Sequence, residues 1–130
     1  MPVSWEIRGP VLIVTVVEDW SGGGPASAIT EGMADPRFEP GTALLLDVRQ
    51  SRMNPSASQI SLRTDWMGYL RDKGLSSRCA IVVGPMAYQF GLARMAKSYL
   101  GFQDMELRIF NDRDEAFNWL SKREGAATAL

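Results

Sequence analysis

Apolar and polar side chains alternate at the start of the chain, Trp5-Glu6-Ile7-Arg8, the period of a strand with one buried face. Gly9-Pro10 interrupts the pattern, and residues 11–17, Val-Leu-Ile-Val-Thr-Val-Val, follow as a second, more apolar strand. The two read as an antiparallel hairpin. Residues 21–25, Ser-Gly-Gly-Gly-Pro, read as a loop. Ala26, Ile29 and Met33 then recur at helical spacing, and Asp35-Pro36 ends that helix. Residues 37–42 form a loop, and residues 43–48, Ala-Leu-Leu-Leu-Asp-Val, are a nearly continuous apolar strand of the kind covered on both faces.

Residues 50–56 turn polar, with Asn54-Pro55 as a turn signal. Ser56 or Ser58 caps the helix that follows, because a hydroxyl there accepts from an orphan backbone N–H. That helix carries Ile60, Met67 and Leu70 on one stripe and Leu62, Trp66 and Tyr69 on the next, and stops at Gly74. Cys79 to Gly84 is a third buried strand, residues 86–100 a helix closed by Gly101, and Glu106 to Phe110 the last strand. The final helix, residues 111–120, opens on Asp112 and Glu115 at capping-box spacing and places Ala116, Trp119 and Leu120 on one face. Residues 1–123 are expected to form a single domain, with 124–130 an Ala-rich, flexible C-terminal tail. A hairpin followed by alternating helices and strands predicts an α/β domain. Its sheet is mixed and largely parallel, of about five strands, with about four helices.

Composition narrows the chemistry. The chain has 130 residues, 45% apolar and 22% charged, with net charge −1, so no broad pull toward nucleic acid or anionic membrane is built in. The longest largely apolar run, 11–17, falls short of the roughly 20 residues that a membrane-spanning helix needs. No positive segment precedes an apolar one at the N-terminus, and one cysteine permits no intramolecular disulfide, so a cytoplasmic location is expected. There is no histidine, which removes Ser-His-Asp and Cys-His nucleophile systems and leaves Cys79 alone as a zinc-type ligand. The expectation is therefore no enzymatic activity, no catalytic residue, no cofactor and no metal.

Four segments together carry a family resemblance: Cys-Ala-Ile-Val-Val-Gly-Pro at 79–85, Tyr-Gln-Phe-Gly-Leu-Ala-Arg-Met at 88–95, Glu-Leu-Arg-Ile-Phe-Asn-Asp at 106–112, and Glu-Ala-Phe-Asn-Trp-Leu at 115–120. In order and spacing, with the hairpin and the Leu-Leu-Leu-Asp-Val-Arg strand, they resemble the bacterial SpoIIAA-like branch of the STAS superfamily over residues 3–123. The resemblance implies a non-enzymatic regulatory module that binds a partner protein. In the better-known antagonists of that superfamily, phosphorylation of a serine at a helix start switches off binding to a partner kinase. The corresponding loop there reads Asp-Ser-Ser-Gly. Here it reads Asn54-Pro55-Ser56-Ala57-Ser58, which lacks the acid and the glycine and splits the serines. The resemblance also implies an alternative role as carrier or sensor of a small apolar or lipid-like ligand, since this branch is sometimes grouped with Sec14-type lipid binders.

The candidate partner- or ligand-binding residues are accordingly Asp47, Arg49, Ser56 and Ser58, with Ser56 and Ser58 as phosphoacceptor candidates. Each has a local role that weighs more. Asp47, at the strand edge where α/β sheets bind ligands, also accepts from loop amides, and a serine at a helix start is first a cap. Arg49, Arg52 and Arg63 near the same loop offer an anion site, against ordinary solvation. Gly22-Gly23-Gly24 lacks the Gly-Lys-Ser/Thr ending of a phosphate-binding loop, and Gly84-Pro85 suits a plain helix start. Glu18-Asp19 with Asp47 is too closely spaced for a phosphoryl receiver site, and Lys97 falls inside a helix. Gly91, also mid-helix, points to close packing or room for a ligand. Trp66, Met67, Tyr69, Tyr88, Met95 and Tyr99 read first as core and second as the lining of an apolar pocket. Partners are expected to be a regulatory protein or a small apolar ligand, with no nucleic acid and no membrane insertion. A homodimer through the hairpin edge is a further candidate.

Overall fold

The structure, a computed structural model, describes residues 3–17, 24–51 and 56–122. Its elements run β1 (Val3–Arg8), β2 (Val11–Val17), α1 (Gly24–Ala34), β3 (Ala43–Gln50), α2 (Ala57–Asp72), β4 (Arg78–Val82), α3 (Ala87–Gly101), β5 (Glu106–Phe110) and α4 (Arg113–Ser121). One five-stranded sheet has the order β1-β2-β3-β4-β5. β1 and β2 are antiparallel and pair Val3 with Val16 through Arg8 with Val11; all later neighbours are parallel. The fold is thus α/β with a mixed sheet and an N-terminal hairpin, as the hydrophobic pattern predicts.

The sheet's two faces follow from this order. β2, β3, β4 and β5 are laid down side by side in one direction, and right-handed crossovers advancing one way place their helices on one face. Leu12, Val14, Val16, Leu44, Cys79 and Leu107 pack there with Ala28 and Ile29 of α1, Leu70 of α2 and Leu100 of α3. α4 follows the last strand and has no crossover to complete. It folds onto the opposite face, where Ala116 and Leu120 meet Val11, Ile13, Ala43, Leu45, Ala80 and Val82. Alternate residues of β3 therefore serve opposite cores, which explains its unbroken apolar run.

Local chemistry sets the ends. Ser56 caps α2 through a complete capping box: its Oγ accepts from Gln59 N–H at 3.3 Å, while Gln59 Oε1 accepts from Ser56 N–H at 2.8 Å. Asp112 caps α4 by accepting from the backbone of Asp114 and Glu115; the reciprocal half expected from Glu115 is not formed. Arg78 holds the other end of α4. Its guanidinium donates to the Trp119 and Lys122 carbonyls and lies 4.3 Å from the Trp119 ring centroid. Gly74 stops α2 with φ +120°, a conformation that a side chain would strain.

Four expectations need correction. Gly24 and Pro25 open α1 rather than close a loop, consistent with proline's tolerance in a first helical turn. Gly91 is exposed and a side chain there would meet nothing within 4 Å. The helical glycine under close approach is Gly32, where a Cβ would stand 2.6 Å from Leu12 Cδ1. Leu62 and Tyr69 are 70% and 55% exposed, so the second apolar stripe of α2 faces solvent and only its Trp66 turns partly inward. Gly101 is the last residue of α3, and the left-handed turn beyond it falls to Asp104 at φ 56°. Among the described residues, no helix is long and apolar enough to cross a membrane.

Candidate functional site

Between the sheet and the layer of α1, α2 and α3 lies a cavity of about 290 Å³. Its apolar wall comes from Leu44, Leu46 and Val48 of β3, Cys79 and Ile81 of β4, and Leu107 of β5, closed by Ile29, Trp66, Met67, Leu92, Ala93, Ala96 and Leu100. The helical residues fall at helical spacing on single stripes: Ile60, Arg63, Thr64 and Met67 on α2, and Gln89, Leu92, Ala93, Ala96 and Leu100 on α3. Ala93 and Ala96 are the small members of the second stripe, and leave space where larger side chains would fill the gap between helix and sheet. A dry cavity of about 150 Å³ already accepts benzene, and ligand pockets begin near 300 Å³.

The polar lining is Ser51, just after the end of β3, Gln89 in the first turn of α3, and Arg63 and Thr64 midway along α2. Ser51 and Gln89 sit toward the C-terminal edge of the parallel strands, the edge at which open α/β sheets receive ligands. Gln89 is 5% exposed yet fully used: its Nε2 donates to the carbonyls of Val48 and Ser51, both at 2.9 Å, and its Oε1 accepts from Gly84 N–H at 2.7 Å. Tyr88 Oη also donates to the Ser51 carbonyl, at 3.1 Å. These bonds pin the end of β3 to the start of α3 and hold the cavity's polar rim. Thr64 satisfies its hydroxyl on the Ser61 carbonyl. Burial pulls the Arg63 pKa down from the ordinary guanidinium value, the mark of a charge partly removed from water.

Asp47 and Arg49 stand together but on the other side of the sheet. Asp47 follows Leu45 on the α4 face and its side chain is 4% exposed. Arg49 donates to it in a fork, Nε to Oδ1 at 3.0 Å and a terminal nitrogen to Oδ2 at 2.7 Å, and Arg113 of α4 approaches Oδ2 at 3.6 Å. The hydrogen bonds that Arg49 donates to the Asp47 carboxylate push the Arg49 pKa up. Arg113 also pairs with Glu6 of β1 at 3.1 Å, so one ionic chain joins β1, β3 and α4.

Ser56 and Ser58 are exposed at the start of α2 with their hydroxyls hydrogen-bonded at 3.1 Å, and the Ser56 hydroxyl also accepts from Gln59 N–H. The four residues singled out from sequence therefore form two separate pairs. Gly84 is engaged with Gln89, so its N–H is not presented to an anion. Residues 18–23 and 52–55, hence Glu18, Asp19, Gly22, Gly23 and Arg52, lie outside the described residues.

Gln89 and Thr64 escaped the sequence reading. Their signal was a polar residue on a helix's apolar stripe, where a buried polar group needs a dedicated partner. Among the described residues, no buried side-chain nitrogen or oxygen lacks a partner, and no cluster of three His, Cys, Asp or Glu is placed to hold a metal. The cavity wall is mainly apolar.

Comparison with known proteins supports the fold. Over 91% of each chain, the structure is similar to an uncharacterized DUF3478-family protein with a SpoIIAA-like fold from Shewanella loihica PV-4, at 17% identity and a TM-score of 0.57. The chain has a SpoIIAA-like fold. No family model and no curated protein matches it.

Proposed function

We propose that this SpoIIAA-like domain is a non-enzymatic module that binds a small amphipathic ligand between its sheet and its helical layer. The observation that carries the reading is the cavity of about 290 Å³, apolar along its body and polar at its strand-edge end. The ligand's apolar part lies against Leu46, Ile81, Trp66 and Met67. Its polar end lies beside Arg63, Thr64 and Ser51. The residue types support binding over turnover, because Asp47, the one buried carboxylate among the described residues, is held by two arginines on the opposite face of the sheet.

Native mass spectrometry beside the same sample denatured tests the reading. The expected result is a non-covalent mass that disappears on denaturation, or one gained on adding decanoate, with a rise in melting temperature. A bare mass with no uptake and no stabilisation by decanoate or a long-chain alcohol would defeat it. Such a result would return attention to a protein partner at Asp47, Arg49, Ser56 and Ser58.

A further inference from the structure

The cavity between sheet and helices has a mouth and a buried end. Two of its lining residues, Ala26 at the start of α1 and Arg63 midway along α2, are exposed, so the cavity meets water between those helices. Leu44, Cys79 and Leu107, near the N-terminal ends of their strands, and Leu100 in the last turn of α3 form the buried end.

Among the described residues, Arg63 is the one charged side chain in the lining, and no carboxylate lines the cavity with it. The buried polar groups beside it are already committed. Gln89 is spent on backbone groups, and the Thr64 hydroxyl donates to the Ser61 carbonyl. Burial lowers the Arg63 pKa, so a negative charge beside it would offset a desolvation that the fold has already imposed. A guanidinium carries five N–H donors in a planar fork that matches a carboxylate.

The size of the space bounds the rest of the ligand. A cavity of about 150 Å³ holds benzene, so one of about 290 Å³ holds roughly twelve non-hydrogen atoms. That is one chain of about ten carbons with a two-oxygen head, and too little for the two chains of a diacyl lipid.

We propose, on the reading of this cavity as a ligand site, that its ligand is a monocarboxylate with a single apolar chain of about ten carbons. The carboxylate sits at the mouth on Arg63, and the chain passes Leu46 and Ile81 toward Leu100 and Leu107. The lone cation selects an acid over an alcohol or an amine of the same length, and the buried end limits the chain.

Calorimetric titration at pH 7 with decanoate, decanol and decylamine tests the charge. Decanoate is expected to bind at least about tenfold more tightly than decanol, with decylamine the weakest. Arg63→Gln, a change at an exposed position, should lose about tenfold in decanoate affinity and leave decanol affinity and the circular dichroism spectrum unchanged. Should that variant fail to fold, the three probes on the unaltered protein decide. Chain length is read from hexanoate, octanoate, decanoate and tetradecanoate. Affinity should rise about fourfold per methylene up to about ten carbons and then level off. Decanol bound as tightly as decanoate, undiminished decanoate affinity in Arg63→Gln, or affinity still climbing through tetradecanoate would each overturn the inference while leaving the cavity a ligand site. Uptake of none of the ten-carbon probes would defeat the cavity reading and the inference together.

Discussion

At the scale of single residues, Cys79 shows how position alters chemistry. It is 2% exposed, its thiol lies 3.7 Å from the Glu106 carbonyl, and burial, with a smaller contribution from Glu106, pushes its pKa up to about 12. Unfolded, the same thiol titrates near 9. Below that pH both states keep the proton and stability is unaffected. Between about 9 and 12 the unfolded chain loses the proton while the folded one keeps it, so stability falls as pH rises through that window. Urea titrations of the protein and of Cys79→Ala at a series of alkaline pH values should therefore converge as pH rises. A constant difference would refute the shift. At pH 8 the native thiol should react with a disulfide reagent about a thousandfold more slowly than in urea, in proportion to its thiolate fraction. The existence of a lone cysteine was plain in the sequence. Its inertness was not, because desolvation comes from Leu44, Leu107 and Leu100 arriving from distant parts of the chain.

At the scale of elements, α4 shows how a short helix is secured. Nine residues are too few to be stable alone in water. Asp112 caps the start, Arg78 holds the end, and the Arg49–Asp47–Arg113–Glu6 chain ties the first turn to β3 and β1. Replacing Asp47 leaves two arginines facing a buried site without their acceptor. Asp47→Asn should cost about 2 kcal/mol in urea unfolding, at the lower end for a buried charged pair because Arg49 and Arg113 are partly exposed. An unchanged midpoint would show that the ionic chain contributes nothing to stability. Caps and stops at this scale were legible: Ser56, Asp112 and Gly74 act within three or four residues of themselves. The exposed stripe of Leu62 and Tyr69 was not. A helix's periodicity says which residues share a face, and only the partner elements say which face is covered.

At the scale of the whole molecule, the cavity is the deciding feature. It exists because the sheet and three helices from separate crossovers do not fill the space they enclose at Ala93 and Ala96. Ala93→Leu places an apolar side chain in that space. It should raise the thermal midpoint of the ligand-free protein, by the ~1 kcal/mol that cavity filling commonly gives, and abolish ligand uptake. A variant that still takes up decanoate with unchanged stoichiometry would place the ligand elsewhere.

The order of strands and helices, the hairpin, the parallel rhythm and the capping residues follow from the sequence, because each depends on periodicity and on neighbours a few positions away. So does the exclusion of histidine chemistry, which depends only on what residues exist. The separation of Asp47 and Arg49 from Ser56 and Ser58, onto opposite sides of the sheet, was decided by tertiary structure. Side chains of a strand alternate between faces, and among the described residues the last helix alone covers the second face. The role of Gln89 and the unfilled space beneath α3 were likewise settled only when distant elements met. Packing volume and backbone pairing across a sheet are properties of several segments at once.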